Sequence, residues 1–297
     1  MIERLLPMLA VQSQPFDSEH HLFEVKWDGV RALAAVEAGR WRVWGRGLAD
    51  YAQRYPELDS LRCLPDGTVL DGELVALRGG RAELGELMRR HQLVNGRKIQ
   101  QASRLQPTTY VVFDLLYEGG RSLLGQPLLE RRQRLQGLVA RYPACGLVFS
   151  DGVVGAGRDF FQKVVEQGHE GVMAKHVGSR YLPGKRGPAW RKIKPFQALP
   201  CVVIGYTSSR RGISSLLVAA DREGKLEYVA ELTAGFTEAA KVQLAQLLAR
   251  QPRSEPVALC PKRANWVEPE LYCQVRFLEW TKNGRLRGAY FRGLIQP

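Results

Sequence analysis

The sequence is short of several things, and each shortage removes a class of protein. No stretch approaches the roughly 20 consecutive apolar residues that a membrane-spanning helix needs, so a helical channel or transporter is excluded. The opening MIERLLPMLA carries Glu3, Pro7 and no long apolar run, which makes a poor secretory leader; the expected compartment is the cytoplasm. The five cysteines, Cys63, Cys145, Cys201, Cys260 and Cys273, include no C-x-x-C pair, which leaves zinc-ribbon and redox-motif chemistry without footing. Their odd number and wide spacing point to buried free thiols in a reducing compartment. Internal repeats and low-complexity tracts are absent. Acid is the remaining deficit: 30 Asp and Glu stand against 43 Lys and Arg, a formal charge of +13. An excess of that size, spread along the chain rather than gathered in a tail, is the footprint of a folded body that binds a polyanion, nucleic acid ahead of an anionic membrane.

What is present is a globular chain. Its 297 residues, 45% hydrophobic and 25% charged, suffice for one large domain or two ordinary ones. VRALAAVEAG and RWRVWGRG alternate with period two around Glu37-Ala38-Gly39 and read as strand–turn–strand. TVLDGELVAL (68–77) is another strand, and TYVVFDLLY (109–117) an apolar central one. Residues 127–143 form an amphipathic helix with Leu128, Leu135, Leu138 and Val139 on one face. Residues 158–168 form a second, which Gly168 is placed to stop. KPFQALP (194–200), with two prolines in seven residues, marks a boundary. Beyond it, several short strands and a single helix at 238–250 have the pattern of a small oligonucleotide-binding barrel. The expected fold is α+β, with mainly antiparallel sheets and flanking helices over residues 1–196 and a small β-barrel over 197–297.

The stretch EVKWDGVR (24–31) places Lys26, Trp27 and Asp28 where a strand interior is expected. A lysine partly removed from water loses its proton more readily and becomes a candidate nucleophile. From these eight residues alone, a strand-edge lysine that snorkels to solvent is the stronger reading. Five further segments change the balance. WGRG offers Arg46; LDGE offers Asp71 and Glu73; FDLLY offers Phe113 and Asp114; EGVMAK offers Glu170 and Lys175; GKRGPAWRKIKP offers Lys185, Arg186, Lys192 and Lys194. Together they supply what nucleotidyl transfer needs: a nucleophile, cations for phosphates, carboxylates for a divalent ion and an aromatic to stack on a base.

The ordered set K-x-D-G-x-R, D-G-E, F-D-x-L, E-G-x-M-x-K and W-x-K-x-K resembles the covalent nucleotidyltransferases, and specifically the ATP-dependent DNA ligases. PMLA near the start, YLPGKR…WRKIKP late in the first domain and the ending VRFLEWTKNGRLRGAYFRGL make the chain most similar to the ligase module of bacterial end-joining ligases and their stand-alone relatives. The resemblance implies an adenylation domain over 1–196 and an OB-fold domain over 197–297 that swings about the 194–200 linker. It implies that Lys26 takes AMP from ATP as a lysyl phosphoramide, passes it to the 5′-phosphate of a nick, and that the 3′-hydroxyl then displaces it. Glu24 would read the adenine edge and Phe113 stack on the ring. Arg31 and Arg46 would contact ribose and phosphate; Arg186, Lys192 and Lys194 would neutralise the triphosphate, with Lys175 as a further nucleotide-side residue. Glu73 would touch the ribose or the metal, and Glu170 would help hold the metal, Mg²⁺ with Mn²⁺ as its substitute. Asp28 would hold local geometry, Trp27 would pack, and Gly29 would let the backbone approach the nucleotide.

Nicked double-stranded DNA is the implied substrate. A Ku-like end-binding protein or a repair polymerase is the implied partner, and the chain is expected to be a monomer on nucleoid DNA, with no membrane contact. One departure stands out. The family pattern ends in R-x-D-K shortly after F-x-G-L, whereas here YFRGLIQP puts Ile295 where the arginine is expected. Arg287 or Arg292 is near enough to replace it, or self-adenylylation is impaired. The rival readings are an RNA ligase or capping-type guanylyltransferase, which share part of the motif set, and a non-catalytic nucleic-acid-binding relative.

Overall fold

Strands that are buried almost end to end, such as residues 68–75, 109–118 and 212–222, build both halves of this chain. The computed structural model describes residues 4–209, 212–281 and 283–296; Glu3 and Pro297 lie outside them. One compact unit ends at Lys194 and a second begins at Pro195. The strands of the first unit are β1 (Leu9–Gln12), β2 (Ser18–Val25), β3 (Val30–Glu37), β4 (Arg40–Trp44), β5 (Thr68–Val75), β6 (Leu77–Arg78), β7 (Arg81–Ala82), β8 (Thr109–Glu118), β9 (Arg121–Ser122), β10 (Leu147–Phe149), β11 (Gly152–Gly155), β12 (Val172–His176) and β13 (Arg186–Ile193). Its helices are α1 (Leu84–His91), α2 (Gly96–Leu105), α3 (Leu128–Arg141) and α4 (Gly157–Glu166).

Two sheets carry the first unit, one in the order β1-β13-β12-β2-β11 and one in the order β10-β8-β5-β3-β4, with β9 on β8. Within them only β1–β13 and β10–β8 pair in parallel. The β3–β4 hairpin turns through Ala38 and Gly39, both left-handed at φ 51 and 64, as a two-residue hairpin loop requires. Gly168 ends α4 at φ 81, just past the C-cap Gln167.

The sheets are held by three apolar layers. Leu33, Trp44, Val69, Phe113 and Leu116 of the second sheet meet Met8, Tyr181 and Trp190. On that sheet's other side, Leu70, Leu74, Val112 and Leu115 pack with Leu135 and Leu138 of α3. Beside the first sheet, Phe23, Val172, Ala174 and Ile193 pack on Val164 of α4. Each fully buried leucine of α3 contributes on the order of 1.5–3 kcal/mol. The buried stripe of α3 also contains Arg131 and Arg132, which the apolar reading of that helix left out.

Two thiols depart from expectation. Cys63 and Cys145 are joined in a disulfide, with Cα atoms 5.9 Å apart, a separation a disulfide spans. The turns Pro56–Cys63 and Pro143–Cys145 bring them together across 82 residues of sequence, which is why spacing hid the pair. Cys201 and Cys273 are buried and free, as expected.

The second unit contains β14 (Gln197–Ser209), β15 (Gly212–Arg222), β16 (Lys225–Leu232), α5 (Glu238–Leu248), β17 (Pro252–Arg253), β18 (Asn265–Val267), β19 (Tyr272–Phe277), β20 (Glu279–Trp280), β21 (Leu286–Arg287) and β22 (Tyr290–Ile295). The long β14 pairs antiparallel with β15, β18 and β19, and β19 with β22. Val203, Leu216, Val218, Val229, Leu244 and Val275 fill the interior. This is the all-antiparallel barrel-type architecture that the strand pattern implied. Among the described residues no helix is long and apolar enough to cross a membrane.

Candidate functional site

Lys26 is the first residue beyond β2, and its N–H donates to Gly171 O at 2.9 Å. Gly171 has φ 144, and a β-carbon there would lie 2.2 Å from Ile193 O. Only glycine lets this turn sit against the end of β13. The turn delivers Glu170: one carboxylate oxygen pairs with Lys26 Nζ, the other with Lys194 Nζ at 2.6 Å. The three side chains are 18–21% exposed, covered enough to strengthen the pairing yet open to a ligand. A cavity of about 150 Å³ lies beside them, lined by Lys26, Asp28, Ala82, Gly168, His169 and Glu170. Burial, and then Glu170, raises the Asp28 carboxyl against the pull of Lys26 and Lys194.

A deeper cluster lies between the sheets. The Glu24 side chain is 1% exposed, and its carboxylate pairs with Lys175 through one oxygen and with Arg132 Nη1 at 2.8 Å through the other. Arg132 also donates to Phe113 O at 3.1 Å and Ser150 O at 2.5 Å. Lys175 Nζ stands 3.9 Å from the centre of the Phe113 ring and 4.3 Å from that of Trp190. Burial lowers the Lys175 pKa although Glu24 pulls it up. Arg31 stands over the same Phe113 ring at 4.5 Å. It is fixed by two 2.6 Å bonds to Asp71, whose carboxylate also accepts from Tyr181 Oη at 2.7 Å. Burial opposes the Arg31 charge, but Asp71 outweighs it and the pKa rises.

Glu73 follows Asp71 by two positions on β5. Its carboxylate makes no hydrogen bond or ion pair among the described residues. Burial pushes it up to about 7, although Arg31, Lys26 and Arg46 favour the charged form. Glu73 is thus a half-buried carboxylate without a partner, within the field of Lys26.

The structure thus brings Lys26, Glu170 and Lys194 into one group and Glu24, Lys175, Phe113 and Arg31 into another. Lys192 lies in register with Met173 on one side and Gln12 on the other. Arg46 is exposed in the turn after β4, and Arg186 is exposed and donates to Ala10 O. Trp27 packs, as expected: its Nε1 donates to Ser150 Oγ at 3.0 Å and its ring meets His169 edge-on at 5.8 Å.

Three residues of the motifs also carry contacts that the sequence did not suggest. A β-carbon on Gly29 would lie 2.2 Å from Leu74 O and 2.9 Å from Glu73 Cγ. The glycine is therefore required by the close approach to β5, the strand that carries Glu73. Asp114, read as part of the chemistry, forms a two-pronged pair with Arg131 at 2.8 Å, both fully buried; it locks α3 to β8. Glu24 is engaged at both oxygens, so any contact with a base edge has to displace Lys175 or Arg132. Arg132, Tyr181 and Trp190 were missed. A signal for Arg132 existed: Arg131 and Arg132 stand three and four residues after Leu128, on the stripe that α3 buries.

Comparison with known proteins gives two family matches. The ATP dependent DNA ligase domain matches residues 7–194, and the ATP dependent DNA ligase C terminal region matches residues 209–296. The multifunctional non-homologous end joining protein LigD of Mycobacterium bovis is 33% identical over 306 residues, which cover 98% of this chain and 38% of that protein. The chain therefore spans about two-fifths of the length of that relative. The SPbeta prophage-derived DNA ligase-like protein LigB of Bacillus subtilis is 29% identical, with 92% of each covered. A solved structure of mycobacterial DNA ligase D complexed with ATP and MES is 30% identical, covers 98% of this chain and 95% of that one, and has a TM-score of 0.56.

Proposed function

We propose that this chain, which belongs to the ATP-dependent DNA ligase family, seals 3′-hydroxyl/5′-phosphate nicks in duplex DNA by way of AMP carried on Lys26. The observation that carries this reading is the Lys26–Glu170–Lys194 group, two members of which line a small cavity. The Lys26 amine, freed of its proton, attacks the α-phosphorus of ATP; the bond to the bridging oxygen of the β-phosphate breaks and pyrophosphate leaves. Glu170 is the carboxylate in contact with that amine and so the group placed to hold its proton. Lys194 and Lys192, with Arg186, supply positive charge for the phosphates. The AMP then passes to the 5′-phosphate of the nick, and the 3′-hydroxyl displaces it to close the backbone. Each step is phosphoryl transfer, in which positioning and charge neutralisation do most of the work.

Arg31, Lys175 and Trp190 surround Phe113, so a base that stacks on Phe113 competes with these cation contacts. Among the described residues no group of three or more His, Cys, Asp or Glu forms a closed metal site. Glu73 and Glu170 fit a Mg²⁺ ion of the kind held by one or two carboxylates together with waters and substrate phosphates. Such an ion, or Mn²⁺ in its place, would neutralise charge developing on the phosphates. Residues 1–196 are read as the adenylation domain and 197–297 as the OB-fold domain. The setting is nucleoid DNA in the cytoplasm, with the chain as a monomer and a Ku-like protein or a repair polymerase as partner.

The test is label transfer from α-labelled ATP in the presence of Mg²⁺. Label on the denatured wild-type chain and none on Lys26→Ala is the expected result. Label on Lys26→Ala at the wild-type level would refute Lys26 as the nucleophile.

A further inference from the structure

From Leu87 to Phe113 the chain has no Asp or Glu, yet it carries Arg89, Arg90, Arg97, Lys98 and Arg104. Arg90 is buried and paired with Glu57 at 2.5 Å. The other four are exposed, and among the described residues no carboxylate pairs with them. Helix α2 is anchored from beneath by the buried Ile99, and its first turn is capped by Asn95 Oδ1, which accepts from Lys98 N at 3.1 Å. That first turn contains Arg97 and Lys98 and no acid. The helix dipole is positive at this end, so the two cations stand where local electrostatics favours carboxylates. An anion placed there relieves both.

The side chains are arranged to receive one. Arg97, Gln100, Gln101 and Arg104 follow helical i, i+3, i+4, i+7 spacing on one face. With Gly96 and Leu105 they line a hollow of about 480 Å³. The two arginines are about 10.5 Å apart along the axis at 1.5 Å per residue, far enough to engage separate phosphates, with two amide donors between them. Arginine and glutamine contact phosphate and sugar well; among the described residues Leu105, 72% exposed, is the one large apolar side chain in the lining, and no aromatic residue stands beside it to anchor a protein partner. In sequence the strip follows closely on a residue that lines the cavity beside Lys26. Helix α1 begins two residues after Ala82, which lines the cavity beside Lys26, and the acid-free segment continues from α1 into α2.

We propose that the Arg97–Gln100–Gln101–Arg104 face of α2 is a sequence-independent docking strip for the phosphate backbone of duplex DNA flanking the nick. This rests on the ligase reading. The experiment measures binding of a nicked duplex against salt for the full chain, for Arg97→Glu/Arg104→Glu, and for Arg40→Glu/Arg141→Glu, which reverses two exposed arginines elsewhere in the first unit. At about 0.9 per phosphate contact, the α2 variant should lose about 1.8 from the slope of log K against log salt and bind about tenfold or more weakly. Arg97→Lys/Arg104→Lys should restore most of the affinity. Label transfer to Lys26 from ATP alone should be unchanged in every variant, which also reports intact folding. An unchanged affinity and slope in the α2 variant would overturn the proposal, and so would an equal loss in the Arg40/Arg141 control, which would reduce the effect to net charge. Poly-glutamate displacing the duplex from the wild type, charge for charge, would assign the strip to an acidic protein instead and overturn it likewise. Absence of label on the wild type would count against the ligase reading, while the binding arms would still decide the strip.

Discussion

Replacing Arg132 with methionine should unsettle the first unit far more than the same change two residues further along the helix. Arg132 donates to Glu24 Oε2 at 2.8 Å, Phe113 O at 3.1 Å and Ser150 O at 2.5 Å, and its side chain is 6% exposed. In Arg132→Met those three acceptors lose their donor away from water. One orphaned acceptor costs about 1–3 kcal/mol. Breaking a buried ion pair from one side costs about 3–5 kcal/mol. Lys175 remains on Glu24, and losing Arg132 removes a like charge from beside it, which offsets the orphaned carbonyls, so a cost near that of the ion pair alone is expected, about 3–5 kcal/mol. Arg134 lies on α3 too, but its 3.0 Å pair with Glu118 is 48% and 32% exposed, and Arg134→Met should cost below about 1 kcal/mol. With a urea m value of about 2–3 kcal/mol/M, the first-unit midpoint should fall by about 1–2 M in Arg132→Met and stay nearly fixed in Arg134→Met. Trp27, Trp41, Trp44 and Trp190 report that unit; Trp266 and Trp280 report the other. Adding Glu24→Gln to Arg132→Met should cost further stability, because the buried Lys175 then loses its carboxylate, but the double should lose less than the sum of the two single variants, because the Arg132–Glu24 pair is removed only once. Equal midpoints for the two single variants, or strict additivity in the double, would refute the claim that Glu24 is held by Arg132.

Other consequences follow from the same geometry. A Glu73 carboxyl raised to about 7 binds its proton more tightly in the folded chain than in the unfolded one, so its contribution to stability is present below the ordinary carboxylate range and lost as pH rises through 7. Glu73→Gln should therefore gain stability relative to the wild type between pH 5 and pH 8; a gain in the opposite direction on denaturation at the two pH values would contradict the burial argument. Gly29→Ala should lower both stability and label transfer, because its new carbon meets Leu74 O, whereas Gly47→Ala, with nothing within 4 Å, should behave as wild type. Reduction of the Cys63–Cys145 disulfide reopens a loop across 82 residues, worth up to about 4.5 kcal/mol in chain entropy. Dithiothreitol should lower the first-unit midpoint in the wild type and leave Cys63→Ser unmoved.

What could be read from the sequence is what short-range pattern encodes. The β3–β4 hairpin, α3, α4 and the change of character after residue 194 follow from periodicity and turn chemistry, which act over a few residues. The ordered motifs gave the family because each is a run of neighbours: Lys26 after β2, Glu73 on β5, Glu170 in a glycine turn. What stayed hidden are partners chosen across long separations. Arg132 reaches Glu24 over 108 residues and Tyr181 reaches Asp71 over 110, and nothing local marks either pair.

The same distinction explains why the packing roles of Gly29 and Asp114 were not read from the sequence. Both stand inside motifs that carry chemistry, and a motif invites a direct role for each of its letters. In the structure they act one step away: Gly29 lets β5 approach so that Glu73 stands by Lys26, and Asp114 pins α3 so that Arg132, the next residue after its partner Arg131, reaches Glu24. A fixed four- or five-residue pattern around a nucleophile therefore records the packing that aims the site as much as the atoms that react. Residues such as Arg132, which belong to no motif but bind the backbone of one (Phe113 O) and the side chain of another (Glu24), are where substitutions should change nucleotide affinity without touching Lys26, the proposed nucleophile.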